Sequence, residues 1–312
     1  MNRCIAMLLV FLMGACSEKE QETVSEKANT NTSVFVAVTN YPLQYFVTRI
    51  AGDSVITYFP SIEGDPAYWK PSNNELRTFQ QADLIVLNGA SYESWLPYVT
   101  LPDDKMVNTS YSFSNQLIEE DQALVHKHGP KGEHEHGVTA FTTWLDLQQA
   151  IQQAAAVKDA LIKVLPDKAG LFDKKFTTLQ KELLSLDQRL RLIGDRLKHT
   201  PFLFSHPVYQ YLQRRYGFSG HALHWEPDIM PDEAQWQDLK QVNGELKARW
   251  MIWEDQPLTN ITRRLEALNI HSVVFNPASN RSENEKQDFI AVMNANIAKL
   301  SAIGRNHLEA GK

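Results

Sequence analysis

Residues 166–198 read PDKAGLFDKKFTTLQKELLSLDQRLRLIGDRLK, and the spacing within this stretch decides the fold. Phe172, Phe176, Leu179, Leu183, Leu186, Leu190, Ile193 and Leu197 recur at alternating steps of four and three. At 3.6 residues per turn they share one stripe of a helix, with Lys, Asp, Glu and Arg on the remaining surface. A helix over Pro166–Lys198 is about 50 Å long at 1.5 Å per residue. One small domain needs less, so the helix is expected to run along two lobes as a stiff spine. A dimeric coiled coil is the rival use of the stripe. The flanking α/β segments favour packing within one chain, and hence a monomer.

Outward from the spine, the two flanks repeat one pattern. Before it come Val34-Phe35-Val36-Ala37-Val38, Val55-Ile56-Thr57-Tyr58-Phe59 and Leu84-Ile85-Val86-Leu87, with helix signals from Pro42 through Ile50 and near Asn73–Gln81. After it come Phe202-Leu203-Phe204, Trp250-Met251-Ile252-Trp253 and Val273-Val274-Phe275. Short apolar runs alternating with helical sequence indicate βαβ units and parallel sheets. The expected fold is α/β: two lobes, each with a mainly parallel sheet flanked by helices, joined by one long spine helix. The boundaries fall at 34–165, 166–198 and 199–312.

The chain has 312 residues, of which 43% are hydrophobic and 22% charged, enough for two cores. Lys+Arg 31 against Asp+Glu 37 leaves a formal charge of −6, with no basic stripe, which argues against nucleic acid as a partner. Mean hydropathy is −0.36, and no long apolar run follows the N-terminus, so a multi-span membrane protein is excluded. Residues 1–15 carry one positive charge and an apolar run, ending in Met13-Gly14-Ala15 before Cys16. This resembles a bacterial lipoprotein signal, cut before Cys16 with lipid attached to that cysteine; a plain secretory signal is the alternative. Cleavage removes Arg3, taking the charge from −6 to −7, and removes Cys4. Residues 16–33 are rich in Glu, Lys, Ser, Thr and Asn and read as a flexible tether. The expected location is a membrane-anchored lipoprotein facing the periplasm or cell exterior.

In open parallel sheets, ligands bind beyond the carboxyl ends of the strands. Those ends place Ser205-His206, Glu254-Asp255 and Asn276 in the second lobe, with Gly64-Asp65-Pro66-Ala67 and Asn88-Gly89 in the first. Imidazole and carboxylate together suit zinc or manganese, whereas a single histidine such as His206 also fits a hydrogen-bonded core. His126, His128, His134 and His136 lie in LVHKHGPKGEHEHGV, a glycine-containing loop that chelates loosely and suits capture better than retention. An inert solvated loop is the plainer reading. HEHGV is not HExxH, and neither GxSxG nor GxxxxGK[ST] occurs, so no enzyme is expected.

Several segments in order resemble the zinc/manganese solute-binding lipoproteins of bacterial ABC importers. They are NYPLQYFVTRIAGD (40–53), GDPAYWKPSNNELRTFQQADLIVLNGASYESWL (64–96), WLDL (144–147), FSHPVYQYLQRRYGF (204–218) and IWEDQPLTNITRRLEALNIHSVVFNP (252–277). The resemblance implies a divalent metal, zinc or one such as manganese, carried in the interlobe cleft and delivered to the permease and ATPase subunits of an importer. It also implies four ligand positions, occupied here by Ala67, Thr142, His206 and Asn276, so one imidazole remains. Glu254, Asp255, His221, His224 and Glu226 are available substitutes. Tyr68, Trp69, Trp144, Trp225 and Trp253 mark the expected cleft, either as packed core or as a stacking surface. The alternative function is a family member that has lost the cleft metal and binds another small molecule or a protein.

Overall fold

A computed structural model describes residues 33–60, 69–119, 126–127, 133–134, 139–281 and 287–309. The expected signal at 1–15, Cys16, the tether up to residue 32, and Ala67, Tyr68, His128 and His136 lie outside the described residues.

The first lobe begins with β1 (Val34–Val38), α1 (Tyr41–Ala51) and β2 (Val55–Tyr58), followed by α2 (Asn73–Gln81), β3 (Leu84–Leu87) and β4 (Met106–Asn108). Its strands are all parallel, in the order β2-β1-β3-β4, with Val36 opposite both Thr57 and Leu84. Asn40 starts α1 by accepting the Leu43 N–H through its side chain, and Pro42 occupies the first turn, where no N–H is needed. Ser72 and Glu75 close a reciprocal capping box on α2. A two-stranded antiparallel ribbon follows, β5 (His126–Lys127) with β6 (Glu133–His134), pairing His126 with His134 in register.

Two helices then connect the lobes, α3 (Leu147–Val164) and α4 (Ala169–Leu197). The expected spine is α4, entered through a 3₁₀ turn at Pro166–Lys168. The second lobe holds β7 (Pro201–Phe204), α5 (Gln210–Tyr216), β8 (Ser219–Ala222), α6 (Glu233–Leu246), β9 (Trp250–Trp253), α7 (Thr259–Glu266) and β10 (His271–Val274). These strands are again all parallel, in the order β10-β9-β7-β8. The final helix, α8 (Phe289–Glu309), packs along α4. No described helix is long and apolar enough to cross a membrane.

Side-chain alternation along each strand sorts the core. Val36, Val38, Leu84 and Val86 face one continuous core with Phe202, Phe204 and Ile252 from the other lobe, built around α1, α3, α4 and α8. Seven of the eight stripe residues are buried; Phe176, the eighth, is half-buried beneath the Lys158 ammonium. The opposite faces form separate outer layers: Ala37, Ile85 and Leu87 with Phe79 and Trp95, and Leu203, Met251 and Trp253 with Trp225, Trp236 and Leu239. One hydrophobic stripe thus serves two sheets, which explains its length.

Two edge strands, β4 and β8, have no counterpart among the apolar runs. β8 reads Ser-Gly-His-Ala and is mostly exposed, so nothing selects for apolar residues there. Its pairing needs Gly220, because a Cβ at that position would lie 1.9 Å from the Phe202 carbonyl oxygen.

Candidate metal centre

The carboxyl ends of both sheets meet at a polar seam between the lobes. From the first lobe, Thr39 and Asn40 follow β1 and Asn88 follows β3, all buried. Asn40 Nδ2 donates to Asn88 Oδ1 (3.1 Å), which also accepts from Gln153 Nε2 (3.0 Å). Glu93 lies inside this layer. Its carboxylate accepts from the Thr39 hydroxyl (2.6 Å), the Asn88 N–H (2.7 Å) and the Gly89 N–H (3.0 Å). Burial pushes its carboxyl above the usual carboxylate range, and these donors counter part of that rise. Gly89, Ala90 and Ser91 all have positive φ (74°, 52° and 62°), a strained turn whose first amide points at Glu93. The turn therefore fills its own anion-binding concavity.

From the second lobe, Ser205-His206 lies between the two neighbouring strand ends. The ladder runs past the regular strands: Ser205 N–H donates to Ile252 O, Leu223 N–H to Phe204 O and Trp225 N–H to Ser205 O, each at 2.8 Å. These bonds place the imidazole of His206, 3% exposed, between two carboxylates. Nε2 is 3.8 Å from Glu226 Oε1, and Nδ1 is 4.0 Å from Glu254 Oε1. The His224 ring is perpendicular to that of His206, with centroids 6.0 Å apart. Burial, reinforced by the negative charges of Glu254 and Asp255, raises the Tyr209 phenol well above its ordinary value. The strand ends are therefore an acidic, imidazole-containing corner. Among the described residues, no three His, Cys, Asp or Glu side chains already converge on one coordination point.

The remaining sequence candidates occupy varied positions. Thr142 is buried, and its hydroxyl donates to the Val208 carbonyl (2.6 Å), tying the first lobe to the second. Trp144 is fully buried and donates from Nε1 to Pro277 O (2.8 Å), again across the seam. Asn276 uses its side-chain oxygen to accept the Ala278 N–H (2.7 Å), while its backbone exchanges hydrogen bonds with the Asn296 amide. Asp255 accepts the following Gln256 N–H (2.7 Å) and is exposed. Trp69 packs edge-on against Trp95 (5.8 Å) in the outer layer of the first lobe. Of the two readings open for Trp225 and Trp253, packed core or stacking surface, both take the packed core. Both are buried in the outer layer of the second lobe, Trp225 against Trp236 at 4.7 Å, because odd and even strand positions point to opposite faces. His126 and His134 fall on the ribbon strands, across from each other in register.

Two parallel sheets on one shared spine, with polar strand ends facing each other across a seam, define a two-lobed solute-binding scaffold. The chain belongs to the ZnuA family, zinc-uptake complex component A, periplasmic, whose family model matches residues 36–303. It is 26% identical over 307 residues to the zinc-binding lipoprotein AdcA of Streptococcus pneumoniae R6, covering 95% of this chain and 59% of that one. It is 24% identical over 306 residues to the high-affinity zinc uptake system protein ZnuA of Bacillus subtilis 168, covering 93% and 92%. The chain thus spans 59% of the length of the AdcA relative. Among solved structures, the metal-dependent lipoprotein YcdH of B. subtilis superposes with a TM-score of 0.70 at 22% identity, covering 87% of this chain and 98% of that one. The Zn(II)-bound ZnuA-like domain of S. pneumoniae AdcA gives 0.70 at 23% identity, covering 88% and 98%. These likenesses carry the fold.

Proposed function

We propose that this protein is the extracytoplasmic binding component of an ABC importer, capturing zinc or a similar divalent cation such as manganese and delivering it to a membrane permease. Membership of the family over residues 36–303 carries the reading. His206 supports it locally, because this imidazole stands buried at the carboxyl end of β7, where a parallel sheet offers its ligand site. The histidines of 126–136 serve capture, and Cys16 serves as the lipid anchor that keeps the folded body at the membrane.

Calorimetry on metal-stripped protein tests the reading, with and without residues 126–136. The expected result is a zinc site that survives loop deletion and is weakened about tenfold or more by His206→Ala. Loss of all binding on loop deletion would remove the seam as a metal site. It would favour the alternative, a scaffold that has given up its cation, for which the commitments of Thr142 to Val208 and of Asn276 to Ala278 are the structural argument.

A further inference from the structure

The chain pairing at the root of the histidine-bearing segment is completed by a side chain from the other lobe. Glu119 and Thr139 form an isolated antiparallel bridge. In a regular ladder the next pair outward, Ile118 and Ala140, would exchange two reciprocal hydrogen bonds. One is direct: Ala140 N–H donates to Ile118 O (2.8 Å). The other runs through the hydroxyl of Tyr211, which accepts from Ile118 N–H (3.2 Å) and donates to Ala140 O (2.9 Å). We propose that Tyr211 is a positioning residue for cation loading. Its hydroxyl clasps the root of the 126–136 loop beside the segment that carries His206, so that a cation caught on the loop passes to the seam of the same molecule; this role rests on the reading above, in which the loop captures and the seam retains.

Tyr211 sits in the first turn of α5, five residues after His206, so even an extended chain would separate their Cα atoms by about 18 Å at most. The residue is fully buried, which leaves its hydroxyl little freedom to leave the root. Arg214, three residues on and on the same helix face, holds its guanidinium carbon 5.0 Å from the centroid of that ring. It also donates to Gln116 O (2.5 Å). One helix of the second lobe thus grips the root at Gln116, Ile118 and Ala140. Beyond the root, Thr142 follows Ala140 by two residues and donates to the carbonyl of Val208 (2.6 Å), which itself follows His206 by two. The chain entering and leaving the histidine segment is therefore fixed against one stretch, 208–214, that starts two residues from the seam imidazole.

Two binding groups on one tether exchange a ligand at a rate set by their effective concentration, which falls when the tether lets one end wander. A phenol hydroxyl bonded to two backbone groups adds neither charge nor a strong metal donor. Its removal loosens where the loop is rooted and leaves the histidines of loop and seam in place. An effect of Tyr211 on loading must then require the loop, and that dependence separates positioning from support of the fold.

The test is a double-mutant cycle of Tyr211→Phe and deletion of residues 126–136, made in the full chain. Metal-stripped protein is mixed with an equimolar amount of zinc and quenched with EDTA after set delays, which removes loosely held ions, and the zinc retained is counted. Tyr211→Phe keeps the buried ring and removes only the hydroxyl. Arg214→Gln, at an exposed position, is the second variant, and urea unfolding checks both. Each is expected to slow loading about threefold or more, toward the rate of the loop-deleted chain, with equilibrium zinc affinity within about twofold of the parent. In the loop-deleted chain the same substitutions are expected to change the rate by less than about 1.5-fold. If loop deletion slows loading but Tyr211→Phe does not, or if Tyr211→Phe slows both chains equally, the clasp is refuted and the capture reading stands. If loop deletion leaves loading unchanged, or the parent retains no zinc, that reading fails and takes the clasp with it.

Discussion

Asp187, on the spine, ties three helices from both lobes together with one carboxylate. Arg215 donates to it twice (3.0 and 2.8 Å), Tyr216 donates its hydroxyl (3.0 Å) and Gln148 its amide (3.0 Å). Burial alone pushes the carboxyl up, but these donors outweigh it and hold the group below the usual range. A carboxylate depressed in the folded state adds stability that is full above about pH 5 and is lost progressively as pH falls through its unfolded and then its folded value. Asp187→Asn is therefore expected to cost about 1.5–3 kcal/mol at neutral pH, the range for a hydrogen bond to a charged group. It is also expected to reduce the loss of stability between about pH 5 and pH 3, read from urea unfolding at both values. An unchanged acid dependence would contradict this. At this scale the sequence was partly legible. His206 could be placed because it follows a recognisable apolar strand. The engagement of Thr142 with Val208 could not, because it depends on which loop of the other lobe lies 66 residues away.

At the scale of elements, the spine was the most legible part of the chain, since eight apolar residues at helical spacing admit few other structures. Its pitch hides one constraint. Gly194 carries no positive φ, yet a Cβ there would lie 1.9 Å from the Tyr216 carbonyl oxygen, so α4 and the end of α5 touch backbone to backbone. A Cβ added at Gly170, near the start of the same helix, would meet nothing within 4 Å beyond its own stretch of helix. Gly194→Ala is expected to destabilise by about 1–3 kcal/mol through overpacking. Gly170→Ala is expected to stabilise by about 0.4–1 kcal/mol by restricting the unfolded chain. Urea midpoints with unchanged slopes would report both; equal effects of the two alanines would refute the close approach. The edge strands β4 and β8 were illegible for the opposite reason: β4 is only three residues long and β8 is four mostly exposed residues, so neither leaves much hydropathy signal.

At the scale of the whole molecule, a continuous core joins the lobes, and side chains stitch the seam closed around it. Trp144 reaches Pro277, Thr142 reaches Val208, and Tyr211 donates to Ala140 O at 2.9 Å. Phe289 of α8 packs tilted against Tyr45 and edge-on against Phe46 of α1, binding the last helix back onto the first lobe. The apolar periods that build the scaffold were readable from sequence. The approach of His224, Glu226 and Glu254 to His206 was not, because it arises only through the non-sequential strand order β9-β7-β8. The most direct measurement is an anomalous difference map at the zinc absorption edge, from crystals of zinc-loaded protein. The account predicts a peak about 2.1 Å from a ring nitrogen of His206. A map with no peak at His206, and zinc only on residues 126–136 or nowhere, would contradict it.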